Sequence, residues 1–401
     1  MRSLGELACV ELTGGDSVVA STESSTTAGN ALEALLTTTR VMSDADAQKS
    51  VDEFLESQPT FPMIEGGIAE FFYKGDADDV AIACDVFGAR QERRMTRIAN
   101  TDTFYFALEL PQDARVNYAF LVDYQIQTDP RNTRTMTSSM YAGEMEFAVR
   151  LPGEPPLEMS WFAMPGWEQP AFLAEVDELQ GKLVEHEIEA TDEEAEPHAF
   201  SVYLPPTTES SDARHPVVYV FDGDNAIDRG RLHEIADNMS RNGEAPIIVF
   251  LKGFGGPDFM NDIASKIVPF VDSNYPTIDD RAGRVSVGNG MAAGMGFGLL
   301  GAHPELFGSA SIQTPLVFDD AVAATLEQMQ SMELPCDVYI EWGRYDMFNP
   351  DENWDVRKIG QQLFDGISSS DNVSVTGGEV NDSTDWASWQ NRFDRVVNMI
   401  R

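Results

Sequence analysis

Long apolar runs are missing from this 401-residue chain. No stretch approaches 18 uninterrupted apolar residues, so the sequence offers no membrane-spanning helix. The opening segment, residues 1–12, carries Glu6 and Glu11 and lacks an apolar core, which makes it a poor secretory signal. The expected compartment is therefore the cytoplasm. Cysteine is scarce: Cys9, Cys84 and Cys336 are odd in number and far apart, which argues against a disulfide framework. Neither they nor the five histidines show metal-ligand spacing, and no D-x-D-x-D-G calcium loop occurs. We expect no metal and no cofactor. Lysine is rare as well, with six against 21 arginines. Against these 27 cations stand 67 acids, giving a net charge of −40. Such a field repels nucleic acid and anionic membrane, so neither is expected as a partner. Acid-rich, lysine-poor surfaces resemble those of proteins from salt-accumulating halophiles, since concentrated salt screens the self-repulsion. An ordinary acidic protein is the alternative.

Hydrophobic residues make up 42% of the chain and are spread along it, enough for two domains. Residues 1–45 read as a flexible tail, with the polar run Ser21-Thr22-Glu23-Ser24-Ser25-Thr26-Thr27 at its centre. A short amphipathic helix follows over Asp44–Glu56, with Asp44 or Asp46 as its cap. From Met63 the hydrophobic period becomes two. The segments 68–73, 80–86, 103–110 and 116–124 read as strands separated by turns, and Asp129-Pro130-Arg131-Asn132 closes the series. Short strands at this spacing predict an antiparallel sandwich over residues 46–150, one without tryptophan. Residues 151–180, punctuated by Pro152, Pro155, Pro156, Pro165 and Pro170, read as an interdomain connection. In residues 181–401 short apolar strands alternate with helices, the pattern of a mostly parallel sheet covered on both faces.

The most informative stretch is Arg284-Val285-Ser286-Val287-Gly288-Asn289-Gly290-Met291-Ala292, a strand running into a glycine-rich helix. That is the setting of the nucleophile elbow, G-x-S-x-G, which needs small neighbours because its central residue sits in a strained turn. Here the central position holds Gly290. Around it, in order, come Val202-Tyr203-Leu204-Pro205-Pro206, Val218-Tyr219-Val220-Phe221-Asp222-Gly223, Ile267-Val268-Pro269 ahead of Tyr275-Pro276, and His303-Pro304-Glu305-Leu306-Phe307-Gly308. Gly343-Arg344-Tyr345-Asp346 and Asp385-Trp386-Ala387-Ser388-Trp389 complete the series. Taken together, residues 50–401 resemble the enterochelin esterases. That family joins an immunoglobulin-like early-set β-sandwich to an α/β-hydrolase domain with a mostly parallel sheet. The Phe72–Asn132 region, with its closing Asp-Pro-Arg-Asn, resembles the early-set part.

The resemblance implies a catalytic triad in the order serine, acid, histidine. The acid falls on Asp346. The histidine falls on Glu379 when Gly377-Gly378 is aligned, or on Thr384 when Asp385-Trp386 is aligned. No histidine occurs after His303. Glycine has no hydroxyl to attack a carbonyl, and neither Glu379 nor Thr384 replaces an imidazole. The backbone of the oxyanion hole maps onto the amides of Met291 and of Gly223 and Asp224. A ligand such as an acyl or catecholate ester would then be held without being cut; alternatively, Gly290 serves close packing and the cleft is filled. The leading expectation is a catalytically silent homologue acting by small-molecule binding or as a protein-interaction component. An active carboxylic-ester hydrolase of the siderophore type with a rearranged site is the first alternative. A carbohydrate-binding module on the sandwich is the second, weakened by the absence of tryptophan there.

Other residues receive structural readings. His303 falls in a turn, His233 on a helix, and His186, His198 and His215 on strand edges or a loop. The acidic run Glu187, Glu189, Asp192, Glu193, Glu194 and Glu196 reads as a solvated hairpin tip. Asp258, Asp262 and Asp272 read as helix-surface acids, and Trp386 and Trp389 as packing for the last helix.

Overall fold

The computed structural model describes residues 9–11, 19–21, 30–89, 91–138, 157–192, 196–210, 213–241, 245–253, 255–349 and 351–400. Most of the 21–29 polar run, along with Glu193 and Glu194, lies outside them. The chain divides into two compact units: residues 1–168 with 347–353 and 381–383, and residues 169–346 with 354–380 and 384–401. Among the described residues no helix is long and apolar enough to cross a membrane.

The first unit is β-rich. One sheet runs Val19–Ser21, Cys9–Glu11, Thr103–Glu109, Ile68–Lys74, Met63–Glu65, and a second runs Thr135–Ser138, Leu157–Ala163, Arg115–Val122, Val80–Cys84, Glu92–Arg94. Pairing is antiparallel apart from Cys9–Glu11 against Thr103–Glu109. Their facing side chains meet edge to face, with Phe71 against Tyr118 and Phe162, and Tyr73 against Phe120. On the other side of the first sheet, the Asp44–Glu56 helix packs Val51 and Leu55 near Phe72. That helix has the expected span, but its cap is Ser43, whose hydroxyl accepts from the Asp46 amide. A further helix, Asn30–Thr39, lies within the stretch read as tail. The closing Asp-Pro-Arg-Asn is a packed polar knot: Tyr118 donates to Asp129 at 2.8 Å and Asn132 donates to Tyr118 at 3.1 Å.

Two readings need correction here. Residues 157–163, assigned to the connection because of the preceding prolines, form a central strand of the second sheet. The β-rich unit therefore does carry tryptophan: Trp161 on that strand, with Trp167 beyond it. The guanidinium groups of Arg115 and Arg134 lie over the Trp161 ring at 4.8 and 5.3 Å.

The second unit is built on one eight-stranded sheet. Its strands in chain order are β1 (Lys182–Ile188), β2 (His198–Leu204), β3 (Val217–Val220), β4 (Ile247–Leu251), β5 (Arg284–Asn289), β6 (Ser309–Gln313), β7 (Cys336–Gly343) and β8 (Val373–Val380). The spatial order is β1-β2-β4-β3-β5-β6-β7-β8. β1–β2 and β2–β4 are antiparallel and the remaining pairs are parallel, so the sheet is mixed. Alternate residues point to opposite faces. Val217, Tyr219, Val249 and Leu251 enter one core with the 257–274 helical run and the Ala293–Ala302 helix. Val218, Val220, Ile248, Val285 and Val287 enter the other, with the Leu232–Ser240 helix, Trp386, Trp389 and Phe393. The parallel strands are buried on both faces, which is why they read as continuous apolar runs. At the β7–β8 pair Gly377 lies opposite Ile340, with φ +116°; a Cβ there would sit 2.0 Å from the Ile340 carbonyl oxygen.

Candidate functional site

In open α/β sheets ligands gather at the carboxyl ends of the parallel strands. At the end of β5 the chain turns through a tight Gly290–Ala292 turn into the Ala293–Ala302 helix. Gly290 is buried with φ +56°, so this is a strand, strained turn and helix with glycine at its apex. A Cβ added to Gly290 would lie 2.9 Å from Cη2 of Trp389 and 3.4 Å from its Cζ2. The place where a serine side chain would begin is crowded by the edge of an indole.

That indole is fixed from several sides. Trp389 Nε1 donates to the Thr314 hydroxyl at 2.9 Å, and Trp386 Nε1 donates to Asp222 at 3.1 Å. Thr314 follows β6 and Asp222 follows β3 with one residue between, and both non-glycine residues have left-handed backbones, φ +50° and +59°. Such conformations are uncommon away from glycine, particularly for a β-branched residue. Here each presents a side-chain oxygen to a tryptophan. The two rings pack edge to face at 5.3 Å, and Trp386 and Trp389 are both buried.

Glu341, near the end of β7, extends the network. Its carboxylate accepts from Arg392 Nε at 2.5 Å, from Gln313 at 3.1 Å and from the Tyr339 hydroxyl. Arg392 also donates to Ser388 at 3.1 Å. The Trp386–Arg392 segment is thus tied to the ends of β3, β5, β6 and β7 at once. Both tryptophans belong to the core, in line with their reading as packing residues.

Asp346 is fully buried in the loop after β7. Its Oδ2 accepts from the Gly343 amide at 2.7 Å, and its Oδ1 accepts from the Thr384 hydroxyl at 2.9 Å. Burial pushes its carboxyl up to about 7, against the pull of these hydrogen bonds and one with Thr314, and with Glu341 adding to the rise. Such a group is close to half protonated at neutral pH. Glu379 stands on β8 opposite Trp342 and is exposed. The structure therefore brings Thr384, not Glu379, to Asp346.

The remaining expected site residues are spread around this end of the sheet. Met291 follows Gly290 and is 56% exposed. Gly223 begins a short helix and is buried against the Phe250 backbone, while Asp224 is exposed and pairs with Lys252 at 3.3 Å. His303 caps the Ala293–Ala302 helix and faces Glu305 at 3.5 Å. His233 is half-buried on the Leu232–Ser240 helix. Among the described residues no cluster of histidine, cysteine and acidic side chains could hold a metal. One acid departs from its sequence reading: Asp262 is buried, not surface-exposed. It accepts from the Thr191 amide at 2.8 Å and faces His198 Nε2 at 2.8 Å.

With this geometry in view, comparison with known proteins assigns the family. The Esterase family model, described as "Putative esterase", matches residues 194–396. The chain belongs to the esterase family. Ferric enterobactin esterase from Salmonella typhimurium is similar in structure to this esterase-family chain, with TM-score 0.68 and 13% identity, covering 87% of this chain and 98% of that one. Enterobactin esterase from Shigella flexneri, solved in the presence of enterobactin, gives TM-score 0.65 at 14% identity, covering 87% and 97%. The esterase-family chain therefore has an enterochelin-esterase-like fold, an α/β-hydrolase unit accompanied by an N-terminal β-rich unit.

Proposed function

We propose that this esterase-family chain is a non-hydrolytic homologue of the enterochelin esterases, acting by binding or as a component of an assembly. In this reading Gly290 stands at the nucleophile position, Asp346 at the acid and Thr384 at the histidine. One observation carries the proposal: no hydroxyl stands at the Gly290 turn, and the Trp389 ring edge crowds the place where a nucleophile's Cβ would begin, at 2.9 Å. Thr384 supports it, since a threonine hydroxyl satisfies the buried Asp346 without supplying a base near neutral pH. The same crowding weighs against an acyl or catecholate ester lying over Gly290 within reach of the Met291, Gly223 and Asp224 amides, and so favours the interaction role. The β-rich unit serves, in this proposal, as the family's early-set domain.

The test is labelling with a fluorophosphonate, which forms a stable adduct only on an activated serine. Intact-mass measurement is expected to find no adduct. A stoichiometric adduct on a single serine would overturn the reading and establish an active ester hydrolase with a rearranged site.

A further inference from the structure

In the β-rich unit, the Ile68–Lys74 strand sends alternate side chains to opposite faces of its sheet. Phe71 and Tyr73 meet the second sheet. Phe72 and Lys74 turn the other way, toward the Asp44–Glu56 helix. Phe72 packs against Phe54 with ring centroids 6.1 Å apart, and Lys74 donates to Asp52 at 2.6 Å. Glu70 shares this helix-side face and is only 2% exposed. Its cross-strand neighbours are Met63 and Ala107, and Ile68 and Phe72 lie two residues away along its own strand. The Oε1 atom is buried with no hydrogen-bond partner among the described residues. An acid ringed by apolar side chains and given no donor is strongly disfavoured in its charged form.

The charged groups on this face do not offset that cost. Glu65 and Glu109 stand on either side of Ile68 in the next row, and Glu11 belongs to the Cys9–Glu11 strand paired with Thr103–Glu109. Lys74 is held by Asp52, and Arg40 acts on the Tyr105 hydroxyl. The Asn30–Thr39 helix carries Glu33 and no cation, and the inward residues of Asp44–Glu56 are Ala47, Val51 and Leu55. Burial first, and then Glu65, push the Glu70 carboxyl up to about 7. The two helices cover this side of the sheet, where Leu32, Leu35, Val51 and Leu55 share a cluster with Phe72 and Tyr105.

We infer that Glu70 is a pH-sensitive switch for this helical layer. In its protonated form it lets the Asn30–Thr39 and Asp44–Glu56 helices lie down on the sheet. In its ionised form it draws in water and lifts them. The docked group holds its proton above the ordinary 4.5, so docking is fully favoured below that value and weakens as pH rises through about 7. Nothing in the switch depends on the chemistry at Gly290.

Hydrogen exchange of the full chain, followed by mass spectrometry at pH 5 and pH 8 and corrected for intrinsic exchange, reads the opening of residues 30–56. The opening equilibrium constant is expected to rise at least about tenfold from pH 5 to pH 8 in the unaltered protein. Glu70→Gln, isosteric with the protonated acid, is expected to keep the constant within about twofold at the two pH values, near the low value of the unaltered protein at pH 5. Glu70→Leu, which removes the titrating group, is expected to respond as flatly and serves in place of Glu70→Gln should that variant not fold. A pH-independent opening in the unaltered protein would overturn the inference, as would a rise of the same size in the folded variants. An equal rise in the Arg115–Val122 strand of the second sheet would mean that the whole unit opens, and would overturn it too.

Discussion

Placing a Cβ on Gly290 is the sharpest structural perturbation available. Gly290→Ala meets two costs. The backbone at φ +56° is left-handed, which costs a residue bearing a Cβ about 1–2 kcal/mol. The new methyl also lands 2.9 Å from Trp389 Cη2, and that ring is held by its bond to Thr314 and by Trp386, so it cannot retreat freely. Overpacking of this kind costs about 1–3 kcal/mol. The sum, about 2–5 kcal/mol, lowers the melting temperature by roughly 4–20 °C in a unit of this size. Trp389→Phe removes the atoms that clash while keeping an aromatic ring, so the cycle of single and double variants isolates the contact. In the Trp389→Phe background the cost of Gly290→Ala falls to the backbone part, leaving a coupling of about 1–3 kcal/mol between the two sites. Urea denaturation of the four proteins measures it. Equal costs in both backgrounds would refute the claim that Trp389 crowds the position above Gly290.

Asp346 predicts a pH dependence. Its carboxyl keeps its proton to about pH 7 when folded but loses it near the ordinary 3.8 when unfolded, so stability falls as pH rises through that window, by about 4 kcal/mol. Asp346→Asn mimics the protonated form, with Nδ2 donating to Thr384 and Oδ1 accepting from Gly343. It should match the parent at pH 4 and exceed it at pH 8, and parallel curves across the range would rule the mechanism out. Arg392→Met should cost about 2 kcal/mol, because the buried Glu341 loses its shorter ion pair while Arg395, Gln313 and Tyr339 still reach it, and adding Glu341→Gln should recover part of the loss; additive losses would argue against the pair. If the −40 charge is an adaptation to salt, the melting temperature climbs steeply from low salt to molar KCl as repulsion is screened, and a flat curve assigns the charge another purpose. Thr384→His combined with Gly290→Ser should give no robust ester turnover, because Trp389 still crowds the serine's Cβ.

The hydrolase unit was legible because its parallel strands are buried on both faces and so appear as uninterrupted apolar runs. The turn at Gly290 was legible from the glycines that a tight strand-to-helix turn demands. Which of Glu379 and Thr384 stands beside Asp346 was not, because two alignments of residues 377–386 fit equally well in one dimension. Gly377 and Gly378 lie within β8 with left-handed backbones, so the strand carries the exposed Glu379, whereas Thr384 comes after it and reaches Asp346. Trp389 over Gly290 joins residues 99 positions apart, a contact that depends on the whole sheet and leaves no local signal. Strand 157–163 was hidden by Pro152, Pro155 and Pro156, which precede it rather than interrupt it, and misreading it removed Trp161 from the sandwich. Asp262 was misread because a helix carries no sign in sequence of the neighbouring strand's His198.

Steady-state turnover of the unaltered protein on activated short-chain esters and on a tri-catecholate ester tests the central claim most directly. The account predicts no rate above that of a Gly290→Ala control. A turnover of roughly 1 s⁻¹ or more, ordinary for an enzyme, that disappears on Asp346→Asn substitution in folded protein would contradict it.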